Sequence, residues 1–214
     1  DYQYVRKSLG AVDDEKGIRL RAFSSASLVN GKLYPRIYGH LDYGIPIAIG
    51  HSSIWLRASA GRSFGGAENP FANFFFGGFG NNWVDHGTEK RYREYYSLPG
   101  LELNALGGRG YGKAMIEWNL PPLRFRSLGV TSLYCRWLRP ALFASAILTN
   151  PEMAKGGPAS AALGVRRSLA NLGAQADFRL VSLSRFESTL SLGYGVAYEG
   201  GQRNKEFMIS LKIL

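Results

Sequence analysis

Polar and apolar residues alternate along most of the chain with a period of two. Between Leu33 and Ile47 every second residue is mostly apolar, whereas the residues between them include Arg36, His40 and Asp42. This period places successive side chains on opposite faces of a β-strand. Similar contrasts predict about nine strands: Tyr2–Ala11, Gly17–Val29, Lys32–Ile47, Ser52–Phe64, Gly110–Phe125, Thr131–Leu148, Arg166–Leu183, Ser188–Glu199 and Lys205–Leu214.

The predicted connections are short at one end of the strands and mostly longer at the other. The longest is residues 65–109, called the long loop below. Short turns at one end and long loops at the other are typical of outer-membrane barrels. We therefore predict an all-β fold, an antiparallel up-and-down transmembrane β-barrel, with residues 1–214 as a single domain and the long loop external and folded into the lumen. The short turns are Asp13–Lys16, Ala48–His51, Arg126–Gly129 and Ser184–Glu187.

A soluble β-barrel or sandwich is the alternative, because the alternation alone does not say which face of each strand is buried. In a soluble barrel the charged faces would point outward and the apolar faces would fill the interior. Strand length favours the membrane barrel, since ~9–11 tilted residues span a bilayer and most of the predicted segments are at least that long.

Two connections have a distinctive composition. The segment Phe74–Trp83 of the long loop is rich in phenylalanine and glycine, so we expect it to fold back into the lumen with its aromatic rings packed on one another. The acidic run Asp13, Asp14 and Glu15 is expected to form a solvated turn.

The composition excludes several classes of protein. Gly 27 in 214 residues argues against a mostly helical chain. A single cysteine, Cys135, excludes an internal disulfide framework and a cysteine-based zinc site. The formal net charge of +10 would suit nucleic acid, anionic lipid or an acidic partner. Because the arginines are spread singly over many strands, we do not expect nucleic-acid binding.

No motif in the chain predicts catalysis. Gly107–Ala114 nearly matches a phosphate-binding P-loop, but Ala114 stands where that loop needs Ser or Thr, and Pro121 and Pro122 oppose the helix that must follow. The three histidines share no metal-ligand spacing. We therefore expect no metal, no cofactor and no enzymatic activity.

Several short motifs resemble those of a known family. Leu98-Pro99-Gly100, the run Gly107–Tyr111, and a strand with Glu117 followed by Leu120–Leu123 resemble the C-terminal half of BamA/TamA-type barrels. These form the bacterial surface antigen superfamily of outer-membrane assembly and translocation proteins. In that family the sixth external loop carries an Arg-Gly-aromatic motif and folds into the lumen.

The resemblance implies a fold and a set of site residues. Arg109, Gly110 and Tyr111 match the loop motif, and five predicted strands follow it, as in the family. The chain would therefore be the C-terminal part of a sixteen-stranded barrel, with the missing N-terminal half as its partner. A buried lumenal arginine needs a carboxylate, so Arg109 would pair with Glu117, and Asp177 is the second candidate.

The resemblance also implies a function, in which the protein assists insertion or translocation of proteins at the outer membrane of a Gram-negative bacterium. Its partners would be outer-membrane lipid and unfolded outer-membrane or secreted clients. A loosely closed seam at the last strand would offer an edge to an incoming strand. The apolar face of that seam strand is Phe207, Ile209, Leu211 and Ile213.

The chain departs from the family pattern in three places that bear on this function. Gly108 precedes the motif where the family usually has valine or isoleucine, and the chain ends in Ile213-Leu214 rather than in an aromatic residue. The segment Phe143–Ser145 offers only serine where the next strand of the family often carries an aspartate near its outer end. Two alternatives stay open. One is a passive anchor or pore barrel fused to a separate periplasmic domain, either a TolB-like propeller or a patatin-like lipase. The other is a soluble basic β-protein.

Overall fold

The computed structural model describes residues 1–65, 69–79, 90–130, 132–153, 165–183 and 186–213. The fold is all-β and antiparallel, as predicted, and no helix in these ranges is long and apolar enough to cross a membrane. Two 3₁₀ turns, Pro70–Ala72 and Arg91–Arg93, lie in the long loop. The strands are β1 Tyr2–Arg6, β2 Lys16–Val29, β3 Lys32–Ile47, β4 Ser52–Ser63, β5 Phe74–Phe76, β6 Leu106–Gly108, β7 Gly110–Asn119, β8 Leu123–Val130, β9 Leu133–Thr149, β10 Arg167–Ser182, β11 Phe186–Glu199 and β12 Gln202–Ile213.

Ten of these strands form one sheet in which most neighbours in space are neighbours in the chain. The order is β1-β2-β3-β4-β7-β9-β10-β11-β12, and β8 pairs with the beginning of β9. The short strands β5 and β6 pair with each other within the long loop. In the described residues no pairing joins β1 to β12, so the sheet is open and its closure into a barrel stays a prediction.

The predicted strands all correspond to observed ones, with differences at their ends. The strand predicted over Gly110–Phe125 divides into β7 and β8 at Pro121 and Pro122, which have no amide hydrogen for a ladder. Residues 126–129, predicted as a turn, belong to β8, and the chain turns after Val130. β1 ends at Arg6, earlier than predicted.

The two faces of the sheet differ in polarity and in exposure. Along β7, Lys113, Met115 and Glu117 are buried on what we call the inner face, whereas Ile116 and Trp118 are exposed on the outer face. Glu117 is 0% exposed and Ile209, on the outer face of β12, is 66% exposed. The charged face is therefore the covered one. Other exposed outer-face residues are Leu41, Tyr43, Leu56, Leu142, Leu172, Tyr194, Phe207, Leu211 and Ile213.

The long loop covers the inner face. Its Phe74 and Phe76 rings contact the ring of Tyr111, with centroids 4.9 and 4.8 Å apart. Tyr92 stacks on Phe143 of β9 at 4.2 Å. Both buried apolar clusters thus lie between the loop and the inner face. In the described part of the segment, Phe74 and Phe76 pack on Tyr111 and Phe79 packs on Phe143, so their rings contact the sheet. Folding of the loop into a lumen stays a prediction, and residues 80–83 lie outside the described residues.

The exposed outer face generates a prediction that separates lipid from water as its surroundings. Leu172→Arg, in the middle of β10, should lower the free energy of unfolding in lipid vesicles by about 2–4 kcal/mol, because a charge would enter the hydrocarbon. Leu28→Arg, at the end of β2 on the same face, should cost roughly 0–1 kcal/mol. Denaturant titration of the vesicle-inserted protein measures both. A change of no more than about 0.5 kcal/mol in the free energy of unfolding of each variant would instead indicate a water-exposed surface.

Candidate functional site

Charged side chains meet beneath the long loop on the inner face, and they come from seven parts of the chain. We call this group the ion-pair cluster. The loop contributes two cations, the β1–β2 connection one acid, and strands of the sheet the rest. Its four acidic and four basic members are Asp13, Asp42, Glu117, Asp177, Arg57, Lys90, Arg93 and Arg139.

Glu117 lies at the centre of the ion-pair cluster. Trp55 of β4 lies opposite Glu117 of β7, so Arg57, two residues along the same face of β4, reaches Glu117 diagonally. Arg57 donates from Nε to Glu117 Oε2 at 2.9 Å and from Nη1 to Asp42 at 2.7 Å. Arg93 donates from Nε to both carboxylate oxygens, at 3.1 and 3.0 Å. Two guanidinium groups therefore neutralise a carboxylate that is wholly buried.

Lys90 and Arg93 attach the long loop to this carboxylate. The 3₁₀ turn Arg91–Arg93 directs Arg93 toward Glu117, and Lys90 Nζ lies 3.7 Å from the same carboxylate while donating to Asn119 Oδ1. Lys90 is almost fully buried, and this burial lowers the pKa of Lys90 to about 8. The loop is thus bound to the sheet by charged side chains as well as by its aromatic rings.

The acidic run before β2 is not the solvated turn that its composition predicts. Asp13 accepts from Arg93 Nη2 at 3.0 Å and lies 3.5 Å from both Lys90 and Arg139. Burial alone would raise the pKa of Asp13, but Arg93, Lys90 and Arg139 hold it well below its usual range. Glu15 is buried and pairs with His51 at 2.9 Å. Ion pairs with cations of the loop and of the inner face therefore hold the β1–β2 connection against the sheet.

Asp177 forms the second centre of the ion-pair cluster. Arg139 of β9 lies directly opposite it in the β9–β10 register and donates from Nη2 to Oδ2 at 3.1 Å. The other carboxylate oxygen accepts from Gln175 Nε2 at 2.6 Å and from Ser191 Oγ at 2.7 Å. Asp177 is therefore buried with both oxygens satisfied.

The predicted ion pair between Arg109 and Glu117 is wrong. Arg109 precedes β7 and Glu117 lies near the far end of that strand, roughly 25 Å away at ~3.3 Å per residue. Arg109 Nη1 instead donates to the carbonyl oxygen of Gly65 at 2.9 Å, and its backbone amide donates to Asn150 Oδ1 at 2.8 Å. Asp177 does not pair with Arg109 either, because Arg139 is its partner.

The other predicted residues lie in different parts of the structure. Gly110 and Tyr111 are buried at the start of β7, where Tyr111 packs against the loop phenylalanines. The four seam residues, Phe207 to Ile213, are exposed on the outer face of the edge strand β12. The motif, the carboxylates and the seam are therefore three separate regions rather than one site.

Sequence reasoning missed Lys90, Arg93 and Asp13, which lie in connections without periodicity. Arg57 and Arg139 could have been found, because both lie on predicted inner faces close to an inner carboxylate in a neighbouring strand. The members of the ion-pair cluster satisfy one another, and the described residues include no group of three or more His, Cys, Asp or Glu arranged to hold a metal ion. The cluster therefore holds the loop against the inner face of the sheet.

No protein-family model, curated protein or solved structure matches the chain. The resemblance to BamA/TamA-type barrels stays a prediction from the motifs.

The ion-pair cluster generates a stability prediction. Arg93→Met should lower the free energy of unfolding by about 3–5 kcal/mol, because it leaves Glu117 and Asp13 short of a buried partner. The double variant Arg93→Met/Glu117→Gln should lose less than the sum of the single losses, because the buried charge is gone as well. Denaturant titration of the refolded protein measures each loss.

Arg91→Met is the matched control, because Arg91 lies in the same turn and forms no ion pair with the described residues. It should lose less than about 1 kcal/mol. A loss as large as that of Arg93→Met, or additive losses in the double variant, would contradict the central role given to Glu117.

Proposed function

We propose that the protein is an outer-membrane β-barrel protein, that this sheet is the C-terminal part of the barrel, and that it assists insertion or translocation of proteins at the outer membrane of a Gram-negative bacterium. The observation that carries the proposal is the polarity of the sheet, whose charged face is covered and whose apolar face is exposed.

Lipid is the medium that suits such a sheet. A soluble monomer rarely exposes a broad continuous apolar surface, whereas here leucine, isoleucine and aromatic side chains cover the outer face from β3 to β12. The strands are also long enough, since β3 has 16 residues, β9 has 17 and β12 has 12, against ~9–11 for a tilted membrane strand. The soluble alternative would leave this surface in water.

The edge strand β12 is the place where the proposed assembly function would act. In the described residues its Gln202–Ile213 backbone pairs on one side only, with β11. A long unpaired edge is a template for another strand. In the proposed complete barrel this edge would meet the first strand, and a seam that closes loosely there would let a client strand pair with β12.

The filled inner face disfavours an open pore. The aromatic rings of the long loop and the ion-pair cluster occupy the space against strands β4 to β11. A passive anchor would need the same wall and the same packing. The anchor therefore differs from the assembly protein only in whether the edge of β12 is used.

Membrane fractionation of the full-length native protein tests the barrel. We expect recovery in the outer membrane and a band that migrates faster on gels when the sample is not heated, because a folded barrel stays compact in detergent. Recovery in the soluble fraction with no difference in mobility would overturn the proposal.

A disulfide lock tests the use of the edge. The background variant is Cys135→Ser, which removes the native thiol. In it, Ser210→Cys is joined by a disulfide to one of a scanned series of cysteines in the first barrel strand of the complete protein. This lock should stop assembly of other barrels while this one stays folded. Reduction should restore assembly. Leu192→Cys/Ile209→Cys, which join β12 to β11 at register partners, are the control and should leave the edge available. Unimpaired assembly in the locked protein would instead support the passive anchor.

A further inference from the structure

The long loop rests directly on the last two strands, where three successive inner positions of β11 carry no side chain larger than a methyl group. Gly193, Gly195 and Ala197 occupy successive inner positions of β11. A Cβ atom added to Gly195 would lie 2.5 Å from Pro99 Cβ, and one added to Gly193 would lie 2.7 Å from the Phe79 ring. Two parts of the loop therefore approach the β11 backbone more closely than any larger residues would allow.

Glu206, on the inner face of β12, binds both parts of the loop. Its Oε2 accepts from the backbone amide of Gly100 at 2.9 Å, and its Oε1 accepts from the amide of Phe79 at 3.2 Å. Met208, the next inner residue of β12, packs against the apolar cluster that contains Phe79. One carboxylate of the edge strand thus joins two loop amides that are far apart in sequence.

The position of the Leu98–Gly100 turn is tightly specified. Gly100 has φ +102°, which other residues rarely adopt, and an added Cβ would lie 2.4 Å from the backbone nitrogen of Ala197. Asn171 of β10, the register partner of Ala197, donates from Nδ2 to the carbonyl oxygen of Pro99 at 2.9 Å. The turn is therefore fixed between β10, β11 and β12, so its release would remove contacts from all three strands.

We propose that Glu206 is a latch that couples the long loop to the edge strand, so that β12 leaves its place in the sheet only when the Leu98–Gly100 turn is released. Two contacts carry this coupling, the paired amide bonds of Glu206 and the packing of Met208. The coupling is a property of the folded chain. Its consequence, that the loop controls access of an incoming strand to the β12 edge, rests on the proposed function.

Hydrogen exchange of the full-length protein in lipid vesicles tests the latch. Glu206→Ala should speed exchange at least threefold, both in residues 97–101 and across β12, because each holds the other in place. Coupling free energy is reciprocal, so Gly100→Ala, whose added Cβ would push the turn away from β11, should also speed exchange in β12. Glu187→Ala, which removes a carboxylate of β11 that contacts Arg136 and Arg179, is the control and should leave residues 97–101 unchanged.

The double variant Glu206→Ala/Gly100→Ala distinguishes coupling from two local effects. Its exchange in β12 should be no faster than that of the more affected single variant, because either change already opens the latch. Faster exchange confined to residues 97–101, or additive effects in β12, would overturn the proposal. If Glu206→Ala fails to fold, Glu206→Gln replaces it in the single and double variants. Gln keeps one accepting oxygen without the charge, so it should lose one of the two amide bonds and speed exchange in the same residues.

The disulfide-lock assay separates this inference from the proposed function. If the exchange coupling is present and the locked protein still assembles other barrels, the proposed function fails and the latch stands. If locking stops assembly but Glu206→Ala leaves β12 exchange unchanged, the latch fails and the proposed function stands.

Discussion

The inner face of the sheet depends on the neutralisation of Glu117. A wholly buried carboxylate is stable only with close cations and satisfied oxygens, and here Arg57 comes from the wall whereas Arg93 comes from the long loop. Because Arg93 also binds Asp13, the same interaction holds the β1–β2 connection against the loop. Removal of the Glu117 carboxylate would therefore break contacts between parts of the chain that are far apart in sequence.

The charges and the exposed apolar face have one physical explanation. A sheet with lipid on its outer face must place its polar side chains on the inner face, where they have to pair with one another. The ion-pair cluster provides these pairs, and the apolar rings of the loop fill the remaining space. The polar interior and the apolar exterior are thus two consequences of the same surroundings under the proposed function.

The edge strand connects this interior to the exterior. Glu206 on the inner face of β12 contacts the loop, whereas Phe207 and Ile209 on its outer face are exposed. Under the proposed function, this strand would face the packed loop on one side and lipid on the other, and could transmit a change in loop position to the sheet edge. The glycines of β11 make this contact close, since Pro99 and Phe79 occupy the space of absent side chains.

The sequence by itself determined the strands, their antiparallel order and the division of each strand into a polar and an apolar face, because the period of two is a local property of the backbone. It also indicated Glu117 and Asp177 as carboxylates that could pair with a buried arginine. Only the tertiary structure decided that Glu117 pairs with Arg57 and Arg93, and Asp177 with Arg139, rather than with Arg109, because pairing depends on the distance along β7 and on the strand register. The tertiary structure likewise decided that Asp13 is held among cations and that the charged face is the covered one. Both depend on connections without periodicity, the β1–β2 connection and the long loop, which are positioned by the charges and rings that they contact across the fold.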